Sequence, residues 1–409
     1  MEKKKFYIFE IFLMIYYAWF FLPIMRGIFN STFFNLAFFA CFFIGCALIV
    51  FEMILSNKKI IFKFNALIPV LCYMAFMAFC YLAKIGDSYK HIRVSFTFWG
   101  SIIVFYLLSN FKNSRVRLGK FLLLIFIITT ITSIIGVIID NSAARNLANA
   151  GNDENEDLIL KTKNIASIYL FQGLVLFVPI ILSFAEGKKT IPCIVGIFIV
   201  LIALLSASFS IALIMFFVAI LLYCLLKKGK FLKYLIIFVC VALFFVIPWA
   251  DIFLSLANFV KNDYISTRLK EISSLLSGGG TSGDLALRFE CYTYSIQTFL
   301  KHPLGIGVHY DYIIGMNGIG YHSQFLDDLA RYGVFALIFY IVFIRQYYKL
   351  LVSQWIKINK KEVVLPVVIV WFLFIVLNIS FRSADESMIA LFIIPIIPEI
   401  ILNKKKKVQ

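Results

Sequence analysis

Apolar runs of about 18 to 23 residues recur along most of the chain, and they decide what it can fold into. A helix rises 1.5 Å per residue, so each run is long enough to cross a hydrocarbon core of roughly 30 Å. Lipid offers no partner for peptide N–H and C=O groups, and a helix satisfies them within the segment itself. A mean hydropathy of +0.93 and 62% hydrophobic residues exclude an ordinary soluble domain. The sequence therefore predicts an all-α, polytopic integral membrane protein.

Spans are expected at about 6–25, 33–55, 64–83, 94–111, 121–139, 164–185, 191–205, 211–226, 234–250, 333–350, 363–380 and 387–402. No small-residue cleavage site follows the first run, which reads as an uncleaved first span. As one helix, 191–226 would be about 54 Å long, too long for a single crossing. Its middle, "SASFS" (Ser206–Ser210), suits a tight turn, and basic segments flank it on both sides, so an even number of crossings is required. One set of alternating segments, the two termini included, holds 25 of the 39 lysines and arginines. The positive-inside rule makes that set cytoplasmic, giving twelve spans with both ends inside. The net charge of +17 is thus a topology signal and not a nucleic-acid footprint.

Three regions follow: 1–250 with nine spans and short loops, 251–332 as one large outer segment, and 333–409 with three spans and a basic tail. The acidic outer segment 140–163 reads as a solvated surface loop. A connection as long as 251–332 is usually functional. Within it, Ile265, Leu269, Ile272 and Leu276 fall at helical spacing, and "SGGGTSGD" (Ser277–Asp284) then breaks the helix. A second helix over Leu285–Leu300 has apolar positions 285, 289, 292, 296 and 299, with Arg288 on their flank and Asp284 as candidate N-cap. Two such helices, hinged by glycines, would roof over a cavity between spans. The eight cysteines show no CxxC or metal spacing and read as small apolar residues.

The polar residues that carry chemistry gather at the end of this segment. His322-Ser323 is followed by nine residues and Gly333, and Arg288 precedes the turn "HPLGIG" (His302–Gly307). In that order these residues resemble the O-antigen ligase and polymerase superfamily of bacterial envelope glycan synthesis, with Ala336 departing from the last position of the histidine motif. The resemblance is specific over about 285–336 and matches the rest in topology, twelve or so spans with one large periplasmic loop, implying a GT-C-like fold. Where relatives carry a mid-chain Ser-Arg pair this chain has Phe209, so Arg268 or Arg382 would have to supply that guanidinium.

The resemblance implies a glycosyltransferase of the bacterial inner membrane, working at the periplasmic face on undecaprenyl-pyrophosphate-linked oligosaccharide and a glycan acceptor. His322 would be the general base, because a neutral imidazole accepts a hydroxyl proton near neutral pH. Arg288, with Arg268 or Arg382, would hold the departing pyrophosphate, which a planar guanidinium grips bidentately. The pyrophosphate already activates the donor, so no cofactor and no metal is expected, although Asp327-Asp328 leaves the metal question open. The wording "HSQFLDDLARYG" favours an O-antigen polymerase, with a chain-length regulator as a possible partner. A ligase transferring to lipid A–core is the near alternative, and a flippase for lipid-linked oligosaccharide is an alternative of another class. Among the remaining polar groups, Arg331 reads as an interfacial anchor, Asp327 and Asp328 as helix-start residues, Lys90–Arg93 as helix-end anchors, and His302 and His309 as loop residues.

Overall fold

A computed structural model describes the chain except for residues 1–5, 57–70, 73–74, 76–99, 141–142, 148–153, 186–188, 208–209, 228–248, 261–262, 277–283, 307–317, 379–388 and 406–409. The described residues are helical and contain no strand. In chain order the first helices are α1 (Ile8–Phe21), α2 (Pro23–Ile28), α3 (Thr32–Leu55), α4 (Gly100–Asn110) and α5 (Lys112–Ile139). They continue with α6 (Ala143–Asn146), α7 (Glu154–Thr162), α8 (Tyr169–Ser183), α9 (Thr190–Ser206) and α10 (Ser210–Leu226). The chain completes with α11 (Trp249–Phe259), α12 (Asp263–Leu276), α13 (Asp284–Lys301), α14 (Gln324–Tyr332), α15 (Val334–Trp355), α16 (Val364–Leu377) and α17 (Ile394–Lys405).

Three of these, α3, α5 and α15 extended to Ile358, are long and apolar enough to cross a membrane, and shorter apolar helices accompany them. Their outward faces are hydrocarbon: Phe33, Phe51, Ile131, Ile135, Phe198, Ile338 and Ile341 are all exposed. Helices apolar on every side suit a lipid surround and not water. Inside, aromatic side chains from α15 and α16 stack in one core, with Phe343 on Tyr347 at 6.0 Å and Tyr347 against Trp371 at 5.2 Å between ring centres. The break between α9 and α10 falls where "SASFS" predicts it, giving two helices packed on each other. The expected spans 64–83 and 234–250 lie largely outside the described residues.

Two sequence expectations change. The basic segment 112–120, expected to be a loop ahead of a span, is the first part of the continuous helix α5. Its two arginines are each paired with a carboxylate. Arg115 makes a fork to Glu399 of α17, with Nε and Nη2 at 3.0 and 2.5 Å from the two carboxylate oxygens, and Arg117 does the same to Glu10 of α1 at 2.7 and 2.5 Å. The first turns of α1 and α5 and the last turns of α17 therefore meet at one end of the bundle.

The segment 140–163 is not a simple solvated loop either. Ala143 and Leu160 are buried with Ile165, and Asn164, left-handed at φ 57°, ties the turn to neighbouring helices. Its Nδ2 donates to the Thr132 hydroxyl at 3.3 Å, and that hydroxyl donates to the Asn164 carbonyl at 2.7 Å. The acidic composition hid the few small and apolar positions that dock the segment.

Because Arg115 is only 4% exposed, Glu399→Ala strands a buried cation and should cost about 3 kcal/mol or more. The double variant Arg115→Met/Glu399→Leu should recover most of that loss. Thermal unfolding of the detergent-solubilised protein compares the two.

Candidate functional site

Helix α13 packs against α14, and both meet the starts of α15 and the end of α16. The face of α13 that does this differs from the face its apolar spacing suggests. Leu287, Phe289, Ile296 and Leu300 are exposed, whereas Cys291, Ser295 and Thr298 are buried. Small side chains allow backbone to approach: a Cβ on Gly320 would stand 2.0 Å from the Cys291 carbonyl oxygen. The Thr298 hydroxyl donates to the Gly318 carbonyl at 2.7 Å, and the Gly320 N–H donates to Ser295 Oγ at 3.0 Å. Close backbone contact, not apolar area, sets the rotation of this helix.

The turn after α13 locks onto the far end of α14. The Val334 N–H donates to the Pro303 carbonyl at 2.8 Å, and the Ile306 N–H donates to the Ala330 carbonyl at 3.0 Å. Gly305 and Gly333 lie where the two strands of backbone cross, at φ +89° and +60°. A Cβ on Gly305 would meet the Arg331 carbonyl oxygen at 2.2 Å, and one on Gly333 would meet that of Pro303 at 2.1 Å. The two motifs singled out in the sequence are thus one interlocked unit.

His322 sits half-buried just ahead of α14. Ser323 caps that helix, its Oγ accepting from the Leu326 N–H at 3.1 Å, and Tyr321 before the histidine is left-handed at φ 60°. A tyrosine in that region is strained and persists only where its surroundings enforce it. Arg288 is half-buried on α13, one turn before Tyr292, whose phenol donates to the Leu377 carbonyl of α16 at 2.7 Å. Arg288 falls on the same helical stripe as the buried Cys291, Ser295 and Thr298, the side of α13 that meets α14.

The two aspartates face different neighbours and do not form a paired carboxylate site. Asp327 Oδ1 accepts from Ser295 Oγ at 2.6 Å. Asp328 Oδ2 accepts from the Tyr340 hydroxyl at 2.8 Å, which in turn accepts from Gln324 Nε2 at 3.0 Å. Arg331, read from the sequence as an interfacial anchor, is instead buried, 3.7 Å from Asp328, with its guanidinium 5.3 Å from the Tyr321 ring centre. Among the described residues no cluster of His, Cys, Asp and Glu is arranged to hold a metal ion. Burial pushes the Asp327 carboxyl up from 3.8 to about 6, against the lowering by Arg331, the Ser295 hydroxyl and backbone N–H groups.

The structure brings His322 and Arg288 to this junction. His302 lies exposed on its rim. Arg268 falls in α12, with its side chain outside the described residues, and Arg382, His309 and Lys90–Arg93 lie outside them altogether. The Gln324 N–H donates to the Asn378 carbonyl at 3.1 Å, so the end of α16 lies beside the start of α14. The sequence reading missed Ser295, the separate roles of Asp327 and Asp328, and Tyr292. One signal was available: 288, 291, 295 and 298 are spaced as a single helical stripe.

A helical membrane protein with a polar junction of histidine and arginine at one end of its bundle is the class defined so far. Residues 192–341 match the model of a family described as O-antigen ligase, and this match supports membership of the O-antigen ligase and polymerase superfamily. The matched stretch runs from α9 into α15 and includes Arg288, Gly305, His322 and Gly333. No curated protein matches the chain. The supported activity is of O-antigen ligase or polymerase type, glycosyltransferase-like, in a multi-pass membrane protein.

Gly305→Ala and Gly333→Ala should each cost about 2 kcal/mol or more, because a methyl group there meets backbone at positive φ. Gly196→Ala, whose methyl would lie 3.9 Å from Ile181, should be neutral by the same thermal measurement. A carboxyl with a raised folded pKa binds its proton more tightly in the fold than in the unfolded chain. Its contribution to stability therefore falls as pH rises from about 4 through about 6. Relative to Asp327→Asn, the wild type should lose up to about 3 kcal/mol across that window, read from unfolding at a series of pH values.

Proposed function

We propose that this protein is an O-antigen polymerase, or a capsular one, joining repeat units carried on undecaprenyl pyrophosphate at the periplasmic face of the inner membrane. His322 removes the acceptor hydroxyl proton as that oxygen attacks the anomeric carbon, and Arg288 binds the departing pyrophosphate. Arg268 and Arg382 are the candidates for a second guanidinium. The observation that carries the reading is the junction itself, where the interlocked turn and the α13–α14 contact gather His322 and Arg288 within one unit of the matched family. The exposed apolar face of α13 supports it too, since a helix that floats on lipid can meet a carrier whose isoprenoid lies in the bilayer.

The base needs its neutral form, which an imidazole holds near neutral pH. The leaving group needs fixed positive charge in a site shielded from water, where such contacts are strongest. Twelve crossings, cytoplasmic termini, a GT-C-like arrangement and a periplasmic cap over 251–332 belong to the same proposal. So does a chain-length regulator as partner.

The family description names a ligase, and transfer of the finished glycan to lipid A–core would use the same donor and the same residues. Envelope glycan from a deletion strain separates the two. Core capped by a single repeat unit marks a polymerase; bare core with long carrier-linked chains marks a ligase. In complementation, His322→Ala should insert normally and restore no polymer, and Arg288→Lys should lose most activity, because an ammonium cannot make the bidentate contact. Wild-type chain length from His322→Ala would remove the histidine from the mechanism.

A further inference from the structure

We infer that the groove between α15 and α16 is a binding site for an anionic phospholipid, with an acyl chain between the helices and the headgroup phosphate on Arg345 and Lys349. The groove holds about 540 Å³ and is lined almost wholly by carbon. Ile341, Ile344 and Tyr348 form one wall and Leu365, Ile369 and Phe372 the other, each set spaced as one stripe of its helix. It opens sideways, where Ile341 is 60% exposed.

Charge selects the occupant. Phe335, Ile338 and Ile341 give α15 an exposed hydrocarbon stripe, and the stripe continues with Arg345 and Lys349, both exposed. Arg345 also lines the groove. Neither cation has a partner among the described residues. Val334–Ile358 is long and apolar enough to span a membrane, and Arg345 lies about halfway along it, about 16 Å from Val334. Cations inside a span ordinarily face the protein interior or a partner, because hydrocarbon does not solvate them. These two face outward, so their counter-ion has to come from the lipid. A phosphate drawn to both, four residues apart on one helix face, supplies it, and its hydrocarbon chain has the groove beside it.

The donor's pyrophosphate does not meet this need, since it is assigned to Arg288 near the start of α15, whereas Arg345 and Lys349 lie toward the opposite leaflet. At its other end the groove reaches Phe372, whose ring centre is 5.5 Å from that of Phe325 in α14. Phe325 in turn lies edge-on to Tyr340 at 5.2 Å. A lipid tail in the groove therefore backs the helix that follows His322.

The test uses the full-length protein in phosphatidylcholine bilayers containing a little phosphatidylglycerol with a diazirine in one acyl chain. After photolysis, mass spectrometry maps the labelled peptides. Label should concentrate on 341–348 and 365–373 and be displaced by unlabelled phosphatidylglycerol. Arg345→Gln/Lys349→Gln should lower it about tenfold or more there, while label on the lipid-facing residues Phe33 and Phe51 of α3 stays constant. Ile369→Trp fills the groove, keeps both charges, and should lower the same label severalfold; it carries the test if the double variant does not insert.

Equal labelling of the groove in wild type and both variants would mark it as ordinary bilayer-facing surface and overturn the inference. So would displacement by undecaprenyl phosphate but not by phosphatidylglycerol, which would assign the groove to the carrier's chain. None of these outcomes depends on His322, whose role the envelope glycan tests separately.

Discussion

The contact on which the site depends is one of backbone with backbone. At Gly305 and Gly333 two turns cross so closely that no side chain, not even a methyl group, fits between them. The crossing joins the end of α13 to the junction of α14 and α15, and it is held by the Pro303–Val334 and Ala330–Ile306 hydrogen bonds. It adds to the Ser295–Asp327 pair and the close approach of Gly320 to Cys291, which also join the helix with Arg288 to the helix that follows His322. A chain with little polar surface has thus spent its glycines at the place where two polar side chains must be kept in register.

Much of the fold was legible because lipid leaves few choices. Length and apolarity gave helices α3, α9, α10, α15 and α16 to within a few residues, and the turn at Ser206–Ser210 followed from length, its small residues and the basic segments on both flanks. The site was legible only in part. His322 and Arg288 stood out through their order and their resemblance to a known pattern. Ser295 and Asp327 did not, since a serine on an amphipathic helix and an acid in a first turn each have an ordinary explanation. Their pairing is a contact across 32 positions, which spacing cannot reveal. Arg331 misled for a related reason: a lone arginine near a span end suggests an anchor, but its partner Asp328 sits one turn away on the same helix and both are buried.

The two ends of the bundle use charge differently. At the end where α1, α5 and α17 meet, Arg115 and Arg117 are each matched to one carboxylate in a fork, and the pairs tie the first and last described helices together. Removing one member of such a pair is costly, while replacing both can be nearly neutral. At the other end Asp327, Asp328, Arg331, Tyr340 and Gln324 share a seam with hydroxyls and peptide groups, so no single pair explains it. The first arrangement closes the bundle; the second leaves His322 and Arg288 half-buried.

Helix α13 carries exposed hydrocarbon on Phe289, Ile296 and Leu300 and small buried groups on Cys291, Ser295 and Thr298, back to back. A rotation of the helix about its axis would move bulky side chains toward the close approach of Gly320 to Cys291 and hydroxyls toward oil. Two incompatible surroundings therefore act on it like opposed jaws, and the angle at which Arg288 leaves the helix is dictated by both at once.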